Sequence, residues 1–185
     1  MACGLSGTRN NVVVGRGNPQ AKVLFVGEGP GEQEGLQGKP FVGPAGQLLD
    51  LALEAAGFDA QSYYIANIVK CRPPQNREPS AEEVQACMPY LRKQFAMIRP
   101  EVVVCLGRVA AKTLIAPDIR ITKERGIWRE RKQIRFMATF HPAAILHDRE
   151  NGLQKKQEFL EDLLMVRRYL DGKEDGTTTI VSNIS

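Results

Sequence analysis

Short, unbroken apolar runs constrain this chain more than any other feature. Val23-Leu24-Phe25-Val26 stops at Gly27-Glu28, and Val102-Val103-Val104-Cys105-Leu106 stops at Gly107. A strand with one wet face alternates apolar and polar residues, so a continuous run reads as a strand buried on both faces. Residues 63–69, with Tyr63, Tyr64, Ile65 and Ala66 ahead of Asn67, form another such segment. Between these runs the period changes. Residues 45–57 carry Leu48, Leu49, Leu51, Ala52 and Leu53 at helical spacing, with Gly57 as a stop. Ser80 and Glu83 form a capping box that opens a helix to about Ile98, ended by Pro100. Gly107 leads into a short helix through Leu114, and residues 126–140 read as a hairpin feeding the strand before His141. A last amphipathic helix covers residues 153–170.

Strands alternating with helices predict an α/β fold of three layers, α/β/α, around a central, mostly parallel four-stranded sheet. The length of 185 residues suits one domain over residues 1–171. Residues 172–185 have no apolar periodicity and read as a mobile tail. The apolar runs are too short to cross a bilayer, and the N-terminus lacks the pattern of a signal peptide. A cytoplasmic protein without membrane contact is therefore expected, and a monomer is the simplest oligomeric state.

The net charge of +4 permits nucleic-acid binding without requiring it. The densest basic stretch, residues 123–135 around Trp128, reads as a solvated hairpin surface. Cytosolic thiols stay reduced, so the four cysteines are either metal ligands or buried. Cys105, inside an apolar run, belongs to the core. Cys3, Cys71 and Cys87 sit in polar, loop-like contexts and read as ligands of a soft metal centre.

In open parallel sheets, ligands bind beyond the carboxyl ends of the strands. Gly27 to Gly31, Asn67 and His141 all lie at such ends and converge on one predicted pocket. The loop Gly27-Glu28-Gly29-Pro30-Gly31-Glu32 is not a P-loop, having no Gly-Lys-Ser/Thr. Nor is it a dinucleotide fingerprint, because Pro30 breaks the spacing and no helix is expected at once. With Glu28, Glu32 and Glu34 nearby, its N–H groups suit a neutral, hydrogen-bonding ligand better than a triphosphate. His141, between a strand end and Pro142, is placed either to pack or to stabilise negative charge on a departing group through a neutral N–H. His147 reads as a surface residue.

Together, Gly27 to Glu34, Gly38-Lys39-Pro40-Phe41-Val42-Gly43, Ala45 to Leu49, Asn67 to Pro79 and Phe140-His141-Pro142-Ala143 resemble the family 4 uracil-DNA glycosylases, the iron–sulfur members of their superfamily. The resemblance spans roughly residues 3 to 171. It implies a DNA-repair enzyme that hydrolyses the N-glycosidic bond of deoxyuridine in single- or double-stranded DNA. It implies that Phe41 stacks on a flipped-out uracil, that Asn67 reads its edge, and that Glu34 crowds the C5 side against thymine. Backbone N–H groups near Gly27, Glu28 and Gly29 would hold the base and place water, with the Glu28 carboxylate a weaker base candidate. His141 would hydrogen-bond to uracil O2, and residues 144–149 would wedge into the duplex.

The resemblance also implies a 4Fe-4S cluster. Cys71 and Cys87 match two ligands, and Cys3 matches the second cysteine of an N-terminal Cys-x-x-Cys pair whose first member would fall before Met1. The expectation is a start displaced from the true one and a cluster that orders residues 71–87. A branch of the superfamily that traps its abasic product on a histidine loop fits poorly, since no histidine lies between residues 50 and 140. A nucleotide hydrolase lacks its P-loop. The principal rival is a non-catalytic DNA-binding module stapled by zinc or iron–sulfur, which would not need Phe41, Asn67 and His141 together.

Overall fold

A computed structural model describes residues 3–173, so most of the expected mobile tail lies outside the described residues. A 3-10 turn at Gly4–Gly7 precedes the short strand β1 (Arg16–Gly17) and the buried strand β2 (Val23–Gly27). Then follow α1 (Glu32–Gln37), α2 (Pro44–Ala55), β3 (Tyr63–Asn67), α3 (Ala81–Ile98), β4 (Val102–Leu106) and α4 (Arg108–Leu114). The chain continues through α5 (Ile121–Glu124), β5 (Arg129–Arg131), β6 (Ile134–Thr139), α6 (Pro142–His147) and α7 (Gly152–Leu170). The sheet order is β1-β3-β2-β4-β6-β5. The four expected strands are its parallel centre, and antiparallel β1 and β5 at the two edges bring the sheet to six.

Alternation along the buried strands builds the three layers. Leu24, Val26, Ala66, Val103 and Cys105 face one way, against Leu91 and Ile98 of α3 and Ala110, Ala111 and Leu114 of α4. Val23, Phe25, Ile65, Val102 and Val104 face the other, against Leu49 and Leu53 of α2 and Phe159, Leu163 and Val166 of α7. Cys105 is fully buried in β4, as expected. Ser80 and Glu83 close the capping box on α3, and Arg99 ends that helix in the left-handed region just before Pro100. The hairpin turns at Lys132 and Gln133, both at positive φ (52° and 65°).

One local expectation is corrected. α1 begins at Glu32, directly after the glycine loop, where no helix was expected. Its apolar content is only Leu36, and that residue is exposed, so hydrophobic periodicity could not reveal it. The basic stretch is largely paired within the fold: Arg125 with Asp162 (3.2 Å), Arg129 with Glu124 and Arg135 with Glu130 (3.7 Å).

Candidate active site and cysteine cavity

The carboxyl ends of β2, β3 and β6 open into a cavity of about 370 Å³, whose walls include Glu28, Gly29, Glu34, Phe41, Asn67 and His141. Six residues singled out in the sequence thus meet in one place. Gly27 forms the packed floor behind them: a Cβ there would lie 2.5 Å from Asn67 Oδ1 and 2.7 Å from Phe41 Cζ. Only a hydrogen side chain lets both groups close over the strand end.

Asn67 ends β3 and is 2% exposed. Its Oδ1 is buried without a hydrogen-bond partner. A buried amide oxygen left unpaired is costly, so it marks a place where a ligand donor completes the pairing.

His141 caps the N-terminus of α6, its Nδ1 accepting from the Ala143 N–H at 3.2 Å. With Nδ1 used as acceptor, the proton of the neutral ring sits on Nε2. Burial pushes the imidazole down to about 4, partly opposed by the Glu34 carboxylate, so the ring is neutral at pH 7. Gly107 at φ +89° lets β4 approach this residue, since a Cβ there would lie 2.7 Å from His141 Cβ. The Phe41 ring lies 5.6 Å from the imidazole, tilted by 32°.

Phe41 is itself held in the left-handed region, at φ +54°. The N–H groups of Val42 and Gly43 both donate to Glu34 Oε1 at 2.9 Å, so the Glu34 carboxylate braces the Phe41 loop from the cavity wall. Burial, then the nearby Glu78, raises the proton affinity of Glu28 above that of an ordinary glutamate, while Arg108 opposes the shift.

Several wall residues had no pocket role in the sequence reading. Asn76, Arg77 and His147 line the cavity with Pro73. His147 is exposed, as expected of a surface residue, yet it stands in the cavity wall. Its place in the segment 144–149, expected to meet the duplex, was the available signal. Arg77 is held by a two-point pair to Glu83 at 2.7 and 2.8 Å.

Cys3, Cys71 and Cys87 line a second cavity, of about 470 Å³, together with Arg9, Lys70 and Lys93. Three thiols from distant parts of the chain therefore face one space beside three cations. Arg9 Nη1 donates to Cys71 Sγ at 3.5 Å. Burial raises the Cys87 thiol, and Cys3 and Cys71 push it in the same direction, which reflects their proximity. Among the described residues, no group of three His, Cys, Asp or Glu is arranged around a single metal ion, and Cys105 is absent from the cavity wall.

Residues 14–164 match the family model of the Uracil DNA glycosylase superfamily. The Type-4 uracil-DNA glycosylase of Thermotoga maritima is 42% identical over 179 residues, covering 95% of this chain and 90% of that one. The Type-4 uracil-DNA glycosylase of Archaeoglobus fulgidus is 41% identical over 183 residues, covering 95% and 89%. Similarity to the Type-5 uracil-DNA glycosylase of Pyrobaculum aerophilum is lower, 32% over 146 residues, covering 70% and 64%.

Proposed function

The chain belongs to the uracil-DNA glycosylase superfamily, and on that premise we propose that its strand-end pocket excises uracil from DNA, hydrolysing the N-glycosidic bond of deoxyuridine and leaving an abasic site. The observation that carries this assignment is the unpartnered, buried Asn67 Oδ1 beside a neutral imidazole and an aromatic ring. Uracil presents an N–H donor flanked by two carbonyls on a flat ring, which is the complement of that set.

A base in a duplex must leave the stack before an enzyme can reach it. Phe41 stacks on the flipped uracil. Asn67 accepts from N3–H through Oδ1 and donates to O4 through Nδ2. As the glycosidic bond breaks, the electron pair stays on the base, and negative charge grows on O2. The His141 Nε2–H donates to that oxygen. A neutral donor stabilises the anion without handing over its proton, and removing one such donor typically costs about 2.7–4 kcal/mol. Backbone N–H groups of Gly27, Glu28 and Gly29 hold the base and the attacking water, while Glu34 closes the C5 side. Glu28 is the lesser candidate for a water-activating base, although burial raises its proton affinity in the direction that favours such a role. Exposed Leu146 on α6, next to His147 at the mouth, suits a wedge into the duplex, in the segment 144–149.

The second cavity suits a 4Fe-4S cluster held by Cys3, Cys71 and Cys87, three of the four thiolates such a cluster takes. The three thiols share their cavity with Arg9, Lys70 and Lys93, cations that suit the negative charge of a thiolate-held cluster. When bound, the cluster would supply a cross-link among three chain segments. The proposed partner is uracil-containing DNA, single- or double-stranded, bound by a monomer. No helix among the described residues is long and apolar enough to cross a membrane.

The test is release of uracil from oligonucleotides carrying one dU, single-stranded and paired, with thymine strands as controls. Uracil-only excision, strongly weakened by His141→Ala, is expected. DNA binding by folded protein without excision would leave the stapled DNA-binding module as the better account.

A further inference from the structure

We propose that Arg16 is a positioning residue for Phe41, fixing the base-stacking ring by gripping the two peptides that set its backbone conformation. The inference rests on the glycosylase assignment above and deepens it. Arg16 lies on the edge strand β1, far in sequence from every pocket residue. Its Nε donates to Pro40 O at 3.0 Å and its Nη2 to Phe41 O at 3.5 Å. The carbonyls of Pro40 and Phe41 belong to the peptides on either side of the Phe41 Cα. Their orientations define φ and ψ of that residue.

The Phe41–Val42 peptide is also held from the other side. Glu34 accepts from the N–H of Val42, which shares a peptide with Phe41 O, and from that of Gly43. The Phe41 carbonyl is also pressed into the first turn of α2, where a Cβ on Gly46 would lie 1.9 Å from it. A non-glycine residue in the left-handed region persists only where its surroundings over-determine it. Arg16 above and Glu34 below are that over-determination.

The local sequence is built to deliver the guanidinium. Gly15 and Gly17 flank Arg16. A Cβ on Gly15 would lie 2.5 Å from the Tyr64 ring, and one on Gly17, at φ +111°, would lie 2.3 Å from Tyr63 O. Both glycines let β1 lie flush on β3, so that Arg16 can reach across to the Phe41 loop. Asp50 on α2 orients the guanidinium through a 2.5 Å contact with Nη2, and the Tyr63 hydroxyl faces both charges. The Asp50 side chain is 46% exposed, so the ion pair itself adds little to fold stability. Losing Arg16 therefore damages the geometry of Phe41 far more than the fold.

The experiment compares wild type with Arg16→Met, Arg16→Lys and Asp50→Asn. Four quantities are read: single-turnover uracil release, inhibition by free uracil, affinity for an oligonucleotide carrying a stable abasic site, and melting temperature. Arg16→Met should weaken both uracil release and free-uracil inhibition about tenfold or more, the scale set by releasing one strained backbone. Its affinity for the abasic strand, which offers no base to stack, should stay within about twofold, and Arg16→Lys should recover part of the loss. An Arg16→Met protein that excises and binds uracil like wild type overturns the proposal. So does one that loses abasic-strand affinity and melting temperature in parallel, since that is a general structural defect. A wild-type chain that releases no uracil refutes the glycosylase assignment, and the stacking role falls with it.

Discussion

Replacing His141 with Ala tests the centre of the proposed chemistry, because two separate consequences follow from one structural fact. The Ala143 N–H occupies Nδ1, and burial holds the ring neutral with a pKa of about 4. Catalytically, the substitution removes the Nε2–H donor. The rate of uracil release under single-turnover conditions should fall by about 100- to 1000-fold, the usual loss for one donor to a developing anion. Thermodynamically, the folded value lies below the ordinary imidazole value of about 6.5. Between those two pH values the unfolded chain binds a proton that the folded chain does not, so wild-type stability falls as pH drops through the window. The difference of roughly 2.5 in pKa corresponds to about 3 kcal/mol, absent above pH 6.5 and fully expressed below pH 4. His141→Ala lacks that contribution. Its stability relative to wild type should therefore improve by about 3 kcal/mol between pH 7 and pH 4, measured by urea unfolding across that range. Titration of the wild-type imidazole by NMR supplies the direct check. A ring that titrates near 6.5, or a variant that excises within tenfold of wild type, would refute the neutral-donor argument.

Three further outcomes follow from the two cavities. Asn67→Ala should lower excision by about 5- to 150-fold, the worth of two modest hydrogen bonds, while DNA affinity in a gel-shift titration stays near wild type. Gly27→Ala places a methyl 2.5 Å from Asn67 Oδ1 and 2.7 Å from the Phe41 ring. Overpacking of that kind costs about 1–3 kcal/mol, so free-uracil inhibition should weaken about 5- to 150-fold, and unaltered inhibition would show that the floor is not where the base sits. Cys87→Ser should lower bound iron and sulfide, measured by elemental and acid-labile sulfide analysis; full retention of both would remove Cys87 from the proposed ligand set.

What was legible in the sequence was set by burial. The runs at Val23 and Val102 are fully buried in β2 and β4, and an unbroken apolar run has few alternatives to such a strand. Strand ends then located the pocket, because parallel topology forces Gly27, Asn67 and His141 onto one edge. Elements held by polar contacts were not legible. β1 is two residues long, and its value lies in one arginine whose partners are 24, 25 and 34 positions away. The Gly15-Arg16-Gly17 triplet was the only local sign of it. α1 exposes Leu36 and leaves no apolar stripe, so only its contact role betrays it: Glu34 reaches back to the Phe41 loop. Long-range polar geometry of this kind has no period, and period is what a single sequence displays.

The segment from Asn67 to Arg77 explains why two cavities with different chemistry belong to one mechanism. Asn67 lines the base pocket; Lys70 and Cys71 then line the cysteine cavity; Pro73, Asn76 and Arg77 return to the base pocket. Buried Lys70 ties the passage together, its Nζ donating to Asn67 O and to Gln94 Oε1, both at 2.6 Å. Gln94 in turn donates to Val14 O, and Val13 N–H donates to Lys70 O at 2.7 Å. Fixing Cys71 to Cys3 and Cys87 through a common group would pin the middle of a loop whose two ends shape the base site. Gln75 and Asn76 at its far end sit at φ +55° and +56°, and Arg72 Nε donates to Asn76 Oδ1 at 2.8 Å. The cysteines thus need take no part in bond breaking to matter for excision. Under the proposed cluster assignment they would act on it through the backbone that carries Asn67 on one side and Arg77 on the other.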